Sequence, residues 1–220
     1  MPRSRHDQTL CWYCHAAAGP GHGCRSCGRI QPLPEGSTHF DLFGLARRLQ
    51  FDLDALEQQF YALSRELHPD RHQTGSPYER ELSVEWSSAL NVAYETLRDP
   101  VTRAEYLLGL EGVRLEQGRK APPALFEELL AMQEDLETLR EAKTDADAAA
   151  GRSRVLETQK QLEVKMIAGR QKLEALFVAW DEGAGERPAV LEAIREQLGE
   201  LAYLRTTLRD VGQALATRTQ

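Results

Sequence analysis

Two short stretches hold the residues whose types and spacing could do chemistry. The first reads Cys11-Trp12-Tyr13-Cys14, then nine residues, then Cys24-Arg25-Ser26-Cys27. Each Cys-x-x-Cys pair can grip one edge of a tetrahedral metal, and the loop between them brings the two edges together. Four thiolates suit Zn2+, which accepts soft ligands and has no ligand-field preference for geometry. Cys11, Cys14, Cys24 and Cys27 are therefore read as one structural zinc site. Iron in the same cage is chemically open. His15 or His22 could stand in as a ligand, although two complete cysteine pairs make that unnecessary. Paired disulfides fit poorly, because Met1–Leu10 is short and polar and gives no expectation of a secretory signal. A redox dithiol fits less well still, with two pairs and no thioredoxin-like strand–helix–strand context. A closed four-thiolate site leaves no open coordination position, which argues against a metal enzyme.

The second stretch is His68-Pro69-Asp70. Two amphipathic runs must position it, Asp52–Leu67 before and Tyr78–Arg98 after. Leu53, Leu56, Phe60, Leu63 and Leu67 recur at helical steps, and Leu82, Trp86, Leu90, Ala93, Tyr94 and Leu97 form a matching stripe. Pro69 stops the first helix, since it lacks an N–H and disfavours helical geometry at His68. Arg71 to Pro77 is polar and rich in helix breakers, so the connection is a solvent-facing loop. Asp52 or Asp54 is placed to cap the first helix, and Glu57 fits a capping-box variant. His68 and Asp70 are not read as acid–base catalysts. The chain shows no P-loop, nucleophile elbow or acid pair at a defined spacing. His6, His39 and His72 are expected to be solvated or capping.

The totals narrow the class. The chain has 220 residues, 41% hydrophobic and 28% charged, with a net charge of −7. That length can bury a real core in one or two domains. The acidic balance argues against nucleic-acid binding, where a basic footprint supplies most of the affinity. No apolar run is long enough to span a membrane. All four cysteines lie between Cys11 and Cys27, which fits reduced thiols in a cytoplasmic setting.

The remaining segments read in order. Residues 29–37, with Pro32, Pro34 and Gly36, are expected to be a linker. Phe40, Leu42, Phe43 and Leu45 predict a short helix or turn closing one side of the hairpin. Residues 103–110 extend the apolar character, and Gly112 to Ala121 reads as a loop. Pro122-Pro123 suits the first turn of a new helix. Three further amphipathic runs follow. The first carries Leu125, Leu129, Met132, Leu136 and Leu139. The second carries Val155, Leu162, Met166, Leu173, Leu176 and Trp180. The third carries Val190, Ile194, Leu198, Leu201, Leu204, Leu208 and Leu215. Asp145–Gly151 and Asp181–Arg187 are expected as turns, giving an antiparallel bundle. A long intermolecular coiled coil competes with that reading, and a homodimer stays open.

Thr38-His39-Phe40-Asp41-Leu42-Phe43-Gly44-Leu45, His68-Pro69-Asp70 and Asn91 to Pro100, in that order, resemble a J-domain. With Cys11-Trp12-Tyr13-Cys14, Arg103 to Leu108 and Leu129 to Leu136, the chain from Cys11 to about Leu215 looks like the zinc-bearing branch of the HscB family. The resemblance implies an all-α fold: a J-domain helical hairpin plus a C-terminal three-helix bundle, with a small N-terminal four-cysteine zinc knuckle. Boundaries are expected at 1–37, 38–112 and 113–220. It further implies a co-chaperone that stimulates the ATPase of an HscA/DnaK-type chaperone and delivers the iron–sulfur scaffold IscU for cluster transfer. His68, Pro69 and Asp70 would meet the chaperone, with Arg65 and Arg71 as electrostatic contacts. Asp54 and Glu57 depart from the basic face usual on that helix, so steering should be weaker. Phe126, Leu130, Glu134 and Tyr203 match the positions that bind the scaffold. Glu127, Ala131 and Thr138 depart from that pattern. A general J-protein for other clients and a zinc-dependent binding module are the rival readings. The first should show glycine-rich linkers and a β-rich client domain, and the second, as a nucleic-acid binder, more basic residues than Arg25 and Arg29 near the cysteines.

Overall fold

The computed structural model describes residues 10–114, 123–142 and 144–216, and side chains at 123–129, 140 and 214 fall outside that description. Among the described residues the regular elements are helical, apart from two isolated bridges, Leu10 with Ala17 and Gly23 with Ile30. The chain forms two compact units, Met1–Arg103 and Ala104–Gln220.

The first unit is built on capped helices. Helix α1 (His39–Leu42) is opened by a capping box between Thr38 and Asp41, and it delivers Phe40 and Phe43 to the core. Helix α2 (Leu53–Glu66) starts at Asp52, whose carboxylate accepts the Asp54 and Ala55 amides at 2.9 and 3.1 Å. Glu57 caps nothing; it accepts the Tyr94 hydroxyl at 3.2 Å instead. Helix α3 (Pro77–Arg98) opens with a second capping box, Ser76 with Glu79. Its whole predicted stripe, Leu82 to Leu97, is buried. On α2, Leu56 and Leu67 are buried and Phe60 stacks on Tyr94 at 4.2 Å between ring centroids. Leu53 departs from the expected stripe at 45% exposure, because it opens α2 a turn before the Leu56 contact. Asp99 ends α3 and accepts the Val101 and Thr102 amides at 2.9 and 3.0 Å, which starts helix α4 (Pro100–Leu110) at once.

The stretch 29–37 is packed at its start, while Pro32, Glu35 and Gly36 are exposed. Ile30 and Gln31 are buried, and their carbonyls accept the indole N–H groups of Trp12 and Trp86, both at 2.8 Å. Its prolines forbid a regular helix but leave Ile30 and the main-chain carbonyls free to pack.

The second unit holds α5 (Pro123–Glu141), α6 (Asp145–Glu182) and α7 (Arg187–Ala216). Met132, Leu139, Val155, Leu162, Leu204 and Val211 form a shared core, with Leu136, Met166, Tyr203, Leu208 and Leu215 packed against it. Residues 145–151 are helix, not the expected turn. Thr144 caps α6 by accepting the Asp147 amide at 3.1 Å, and Asp145 and Asp147 suit the positive end of the helix. Ala146 and Ala148 to Ala150 then carry the highest helix propensity available. The other end stops at Gly183, left-handed at φ 68°. Phe177 is the buried residue where Leu176 was expected, and Val211 joins the core unannounced. No helix among the described residues is long and apolar enough to cross a membrane.

Candidate functional site

The cysteine knuckle is two copies of one turn. Cys11 N donates to Ala16 O and His15 N to Cys11 O; Cys24 N donates to Arg29 O and Gly28 N to Cys24 O, all between 2.8 and 3.0 Å. The residue after each second cysteine takes positive φ: His15 at 58° and Gly28 at 74°. Gly28 does so at no steric cost; His15 is the less usual occupant. The Tyr13 amide donates to Cys11 Sγ and the Ser26 amide to Cys24 Sγ, each at 3.4 Å, while Gln31 Nε2 reaches Cys11 Sγ at 3.3 Å.

All four sulfurs lie within 4.8 Å of one another, with Cys11–Cys27 and Cys14–Cys24 separations of 3.7 Å. A zinc–sulfur bond of about 2.3 Å makes the edge of a regular tetrahedron about 3.8 Å. The two 3.7 Å separations match that edge, and the donor set fits one four-coordinate metal ion. The amide donors also favour thiolates. Burial pushes the Cys11 thiol up, but the Cys14 and Tyr13 amides and the neighbouring thiols outweigh it and bring it to about 6. The Cys27 amide, against burial, likewise lowers Cys24. At Cys27 the Arg29 amide pulls down, but burial and the other three thiols raise it to about 12. Neither histidine joins the sulfurs. His22 Nε2 meets Glu66 Oε1 at 2.9 Å, and His15 is exposed.

His68-Pro69-Asp70 stands at the end of α2 as a single 3-10 turn, Pro69–His72. His68 caps it, its Nδ1 accepting the Asp70 amide at 3.2 Å and its carbonyl the Arg71 amide at 2.9 Å. Gln73 Nε2 donates to Asp70 Oδ1 at 3.0 Å. Below the turn, the Ser83 and Ser87 hydroxyls both donate to the Leu67 carbonyl, at 2.7 and 3.2 Å. The side chains of His68 and Asp70 remain 56% and 73% exposed. Arg65, His68 and Arg71 line one open groove of about 540 Å³ with Ser64 and Tyr61. Tyr61, half exposed, is not marked by the motif or by the apolar stripe of α2. Its signal is an aromatic on the polar side of α2, four residues before Arg65.

The bundle residues divide. Leu130 is 49% exposed and Glu134 is exposed on α5. Tyr203 is half-buried against the bundle core and borders a separate groove of about 440 Å³ with Met132, Leu136 and Thr207. Leu130 and Glu134 do not line that groove. The side chain of Phe126 lies outside the described residues.

An antiparallel helix pair presenting an exposed His-Pro-Asp turn, joined to a helical bundle, defines a J-protein. No family model matches the chain. The co-chaperone protein HscB homolog of Ralstonia nicotianae is 33% identical over 180 residues, covering 81% of this chain and 94% of that protein. The homolog from Bordetella petrii is 37% identical over 164 residues, covering 69% and 96%. The crystal structure of human co-chaperone protein HscB matches with a TM-score of 0.66 at 23% identity, covering 96% of this chain and all of that one. Chaperone HscB from Vibrio cholerae matches at 0.60 and 26% identity, covering 82% and 99%. The chain belongs to the HscB co-chaperone family.

Proposed function

We propose that this co-chaperone stimulates the ATPase of an HscA/DnaK-type chaperone and brings it the iron–sulfur scaffold protein IscU. The observation that carries the reading is the His-Pro-Asp turn. Its functional side chains are exposed, while its backbone is held by the hydrogen bonds from Asp70, Arg71, Ser83 and Ser87. A turn already ordered loses little freedom on docking, so more of the contact energy is available to bias the chaperone. Arg65 and Arg71 border the same groove and supply the positive charge for an acidic partner. Pro69 fixes the turn's φ and keeps α2 from running on.

Scaffold binding is assigned to the bundle, through Phe126, Leu130, Glu134 and Tyr203. The exposure of Leu130 supports this, since a solvent-facing leucine on α5 contributes little to the core. Cys11, Cys14, Cys24 and Cys27 hold a structural Zn2+ in this reading, and the free thiols suit a reducing cytoplasm. The functional segments remain 1–37, 38–112 and 113–220. The test is His68→Gln in the full chain. Stimulation of ATP hydrolysis by a DnaK-type chaperone should fall to background, IscU binding should stay at the parent level, and stability should fall by no more than about 1 kcal/mol, the scale of a lost cap. Parent-level stimulation by the variant would overturn the chaperone role of the loop.

A further inference from the structure

The knuckle touches the residues that close the His-Pro-Asp loop at both ends. At the start, His22, two residues before Cys24, contacts the Glu66 carboxylate at 2.9 Å. The Glu66 carbonyl in turn lies 3.2 Å from the His72 ring nitrogen inside the loop. A second path runs from the sulfurs themselves. Gln31 is 6% exposed, donates to Cys11 Sγ at 3.3 Å, and through its carbonyl accepts the Trp86 indole at 2.8 Å. Trp86 sits on α3 between Ser83 and Ser87, the two hydroxyls that grip the Leu67 carbonyl beside His68. At the far end, Arg29 pairs with Glu79. The same carboxylate oxygen of Glu79 accepts the Ser76 amide and hydroxyl, at 3.0 and 3.2 Å, and so closes the loop onto α3.

We propose that the knuckle sets the conformation of the His-Pro-Asp loop, so that metal loading is read out as co-chaperone strength. The chaperone part of this rests on the function proposed above; the linkage between knuckle and loop does not. The physical reason is that four sulfurs at these separations cannot all carry charge without a cation, so metal and knuckle geometry are linked. When the knuckle loosens, Gln31 loses its sulfur acceptor, and His22 and Arg29 lose the frame that aims them. The loop is then held by α2 and α3 alone. His22, Arg29 and Gln31 act as positioning residues, since none of them belongs to the chaperone-facing groove.

The experiment uses the full chain under reductant, loaded with zinc or stripped by a chelator, at a temperature where helical circular dichroism is retained. Backbone amide NMR resonances of Asp70, Arg71 and Ser76 are followed, together with stimulation of a DnaK-type chaperone. Stripping should move or broaden all three resonances and lower stimulation about five-fold, the lower end of ordinary coupling between sites. A double variant, His22→Ala with Arg29→Met, retains every cysteine. It should keep its zinc yet show the loop resonances and weak stimulation of the stripped chain. This variant decides the matter if stripping melts the first unit. Loop resonances that stay in place, in the stripped chain or in the zinc-loaded variant, would overturn the proposal. Loop resonances that respond to stripping, in a parent that never stimulates the chaperone when loaded, would uphold the linkage and refute the chaperone role instead.

Discussion

Cys11 and Cys27 lie on opposite sides of neutrality although their sulfurs are 3.7 Å apart. The sign of their pH dependence follows from those directions. Cys11 is lowered from 9.0 to about 6, so its contribution to stability is full above the unfolded value and is lost as pH falls through about 6. Cys27 is raised to about 12, so its contribution is full below the unfolded value and is lost as pH rises toward 12. A bound zinc ion requires both as thiolates, so it offsets the resistance at Cys27 and adds to the preference at Cys11 and Cys24. Purified protein should carry about one zinc per chain. Zinc should stay bound at neutral pH and be released only in acid, as protons compete with the metal for the thiolates, read with a colorimetric chelator. Full release of zinc already at neutral pH would count against a four-thiolate site. The convergence of the four cysteines was legible from spacing alone, because two Cys-x-x-Cys pairs joined by a glycine-containing loop can close on one centre. His22, Gln31 and Tyr61 were not legible, since their roles depend on partners distant in sequence.

Helix α6 shows where periodicity reads well and where it fails. The apolar step found Val155, Leu162 and Leu173, all fully buried. It passed over the first two turns, because a run of alanines and aspartates before a glycine resembles a loop in composition. Gly151 and Gly169 both lie on the buried face of this helix, but their surroundings differ. A Cβ at Gly151 would meet Leu139 at 3.4 to 3.5 Å, ordinary contact. At Gly169 it would come within 2.9 Å of Leu201 and 3.2 Å of Gln197, both buried on α7. Helix propensity favours alanine over glycine by about 1 kcal/mol at either site. Gly151→Ala should therefore raise the bundle's stability by about 0.5 to 1 kcal/mol. Gly169→Ala should lower it by about 1 kcal/mol, since overpacking costs about 1 to 3 kcal/mol in a dense core. Urea denaturation of the two variants checks the pair, and a stabilising Gly169→Ala would show that α6 and α7 have room to part.

At the scale of the whole molecule, the knuckle's packing and the bundle's core are separate. The core of Met132, Leu139, Val155, Leu162, Leu204 and Val211 draws on the second unit alone, whereas Cys11, Ala18 and Cys24 form a cluster within the first. The proline-rich stretch after the knuckle reads as a spacer by composition, and its hydrogen bonds to Trp12 and Trp86 could not be foreseen from it. The three tryptophans divide in the same way: Trp12 and Trp86 belong to the first unit, Trp180 to the second. Each can therefore report on its own unit. Stripping the metal removes binding energy only from the unit that holds the sulfurs, because a ligand stabilises the fold it binds. In the full chain, chelation should shift the fluorescence of Trp12 and Trp86 and lower the melting temperature of the first unit. The Trp180 signal, isolated in a Trp12→Phe, Trp86→Phe chain, should melt at the same temperature with and without metal. Leu130→Ala supplies the reciprocal check. Its exposure limits the stability cost to about 0.5 kcal/mol. Loss of IscU affinity by that variant, with zinc content and chaperone stimulation intact, is the outcome expected of a molecule that divides its two contacts between two units. Unchanged IscU affinity would remove Leu130 from the docking face and leave the 440 Å³ groove beside Tyr203 as the surface to mutate next.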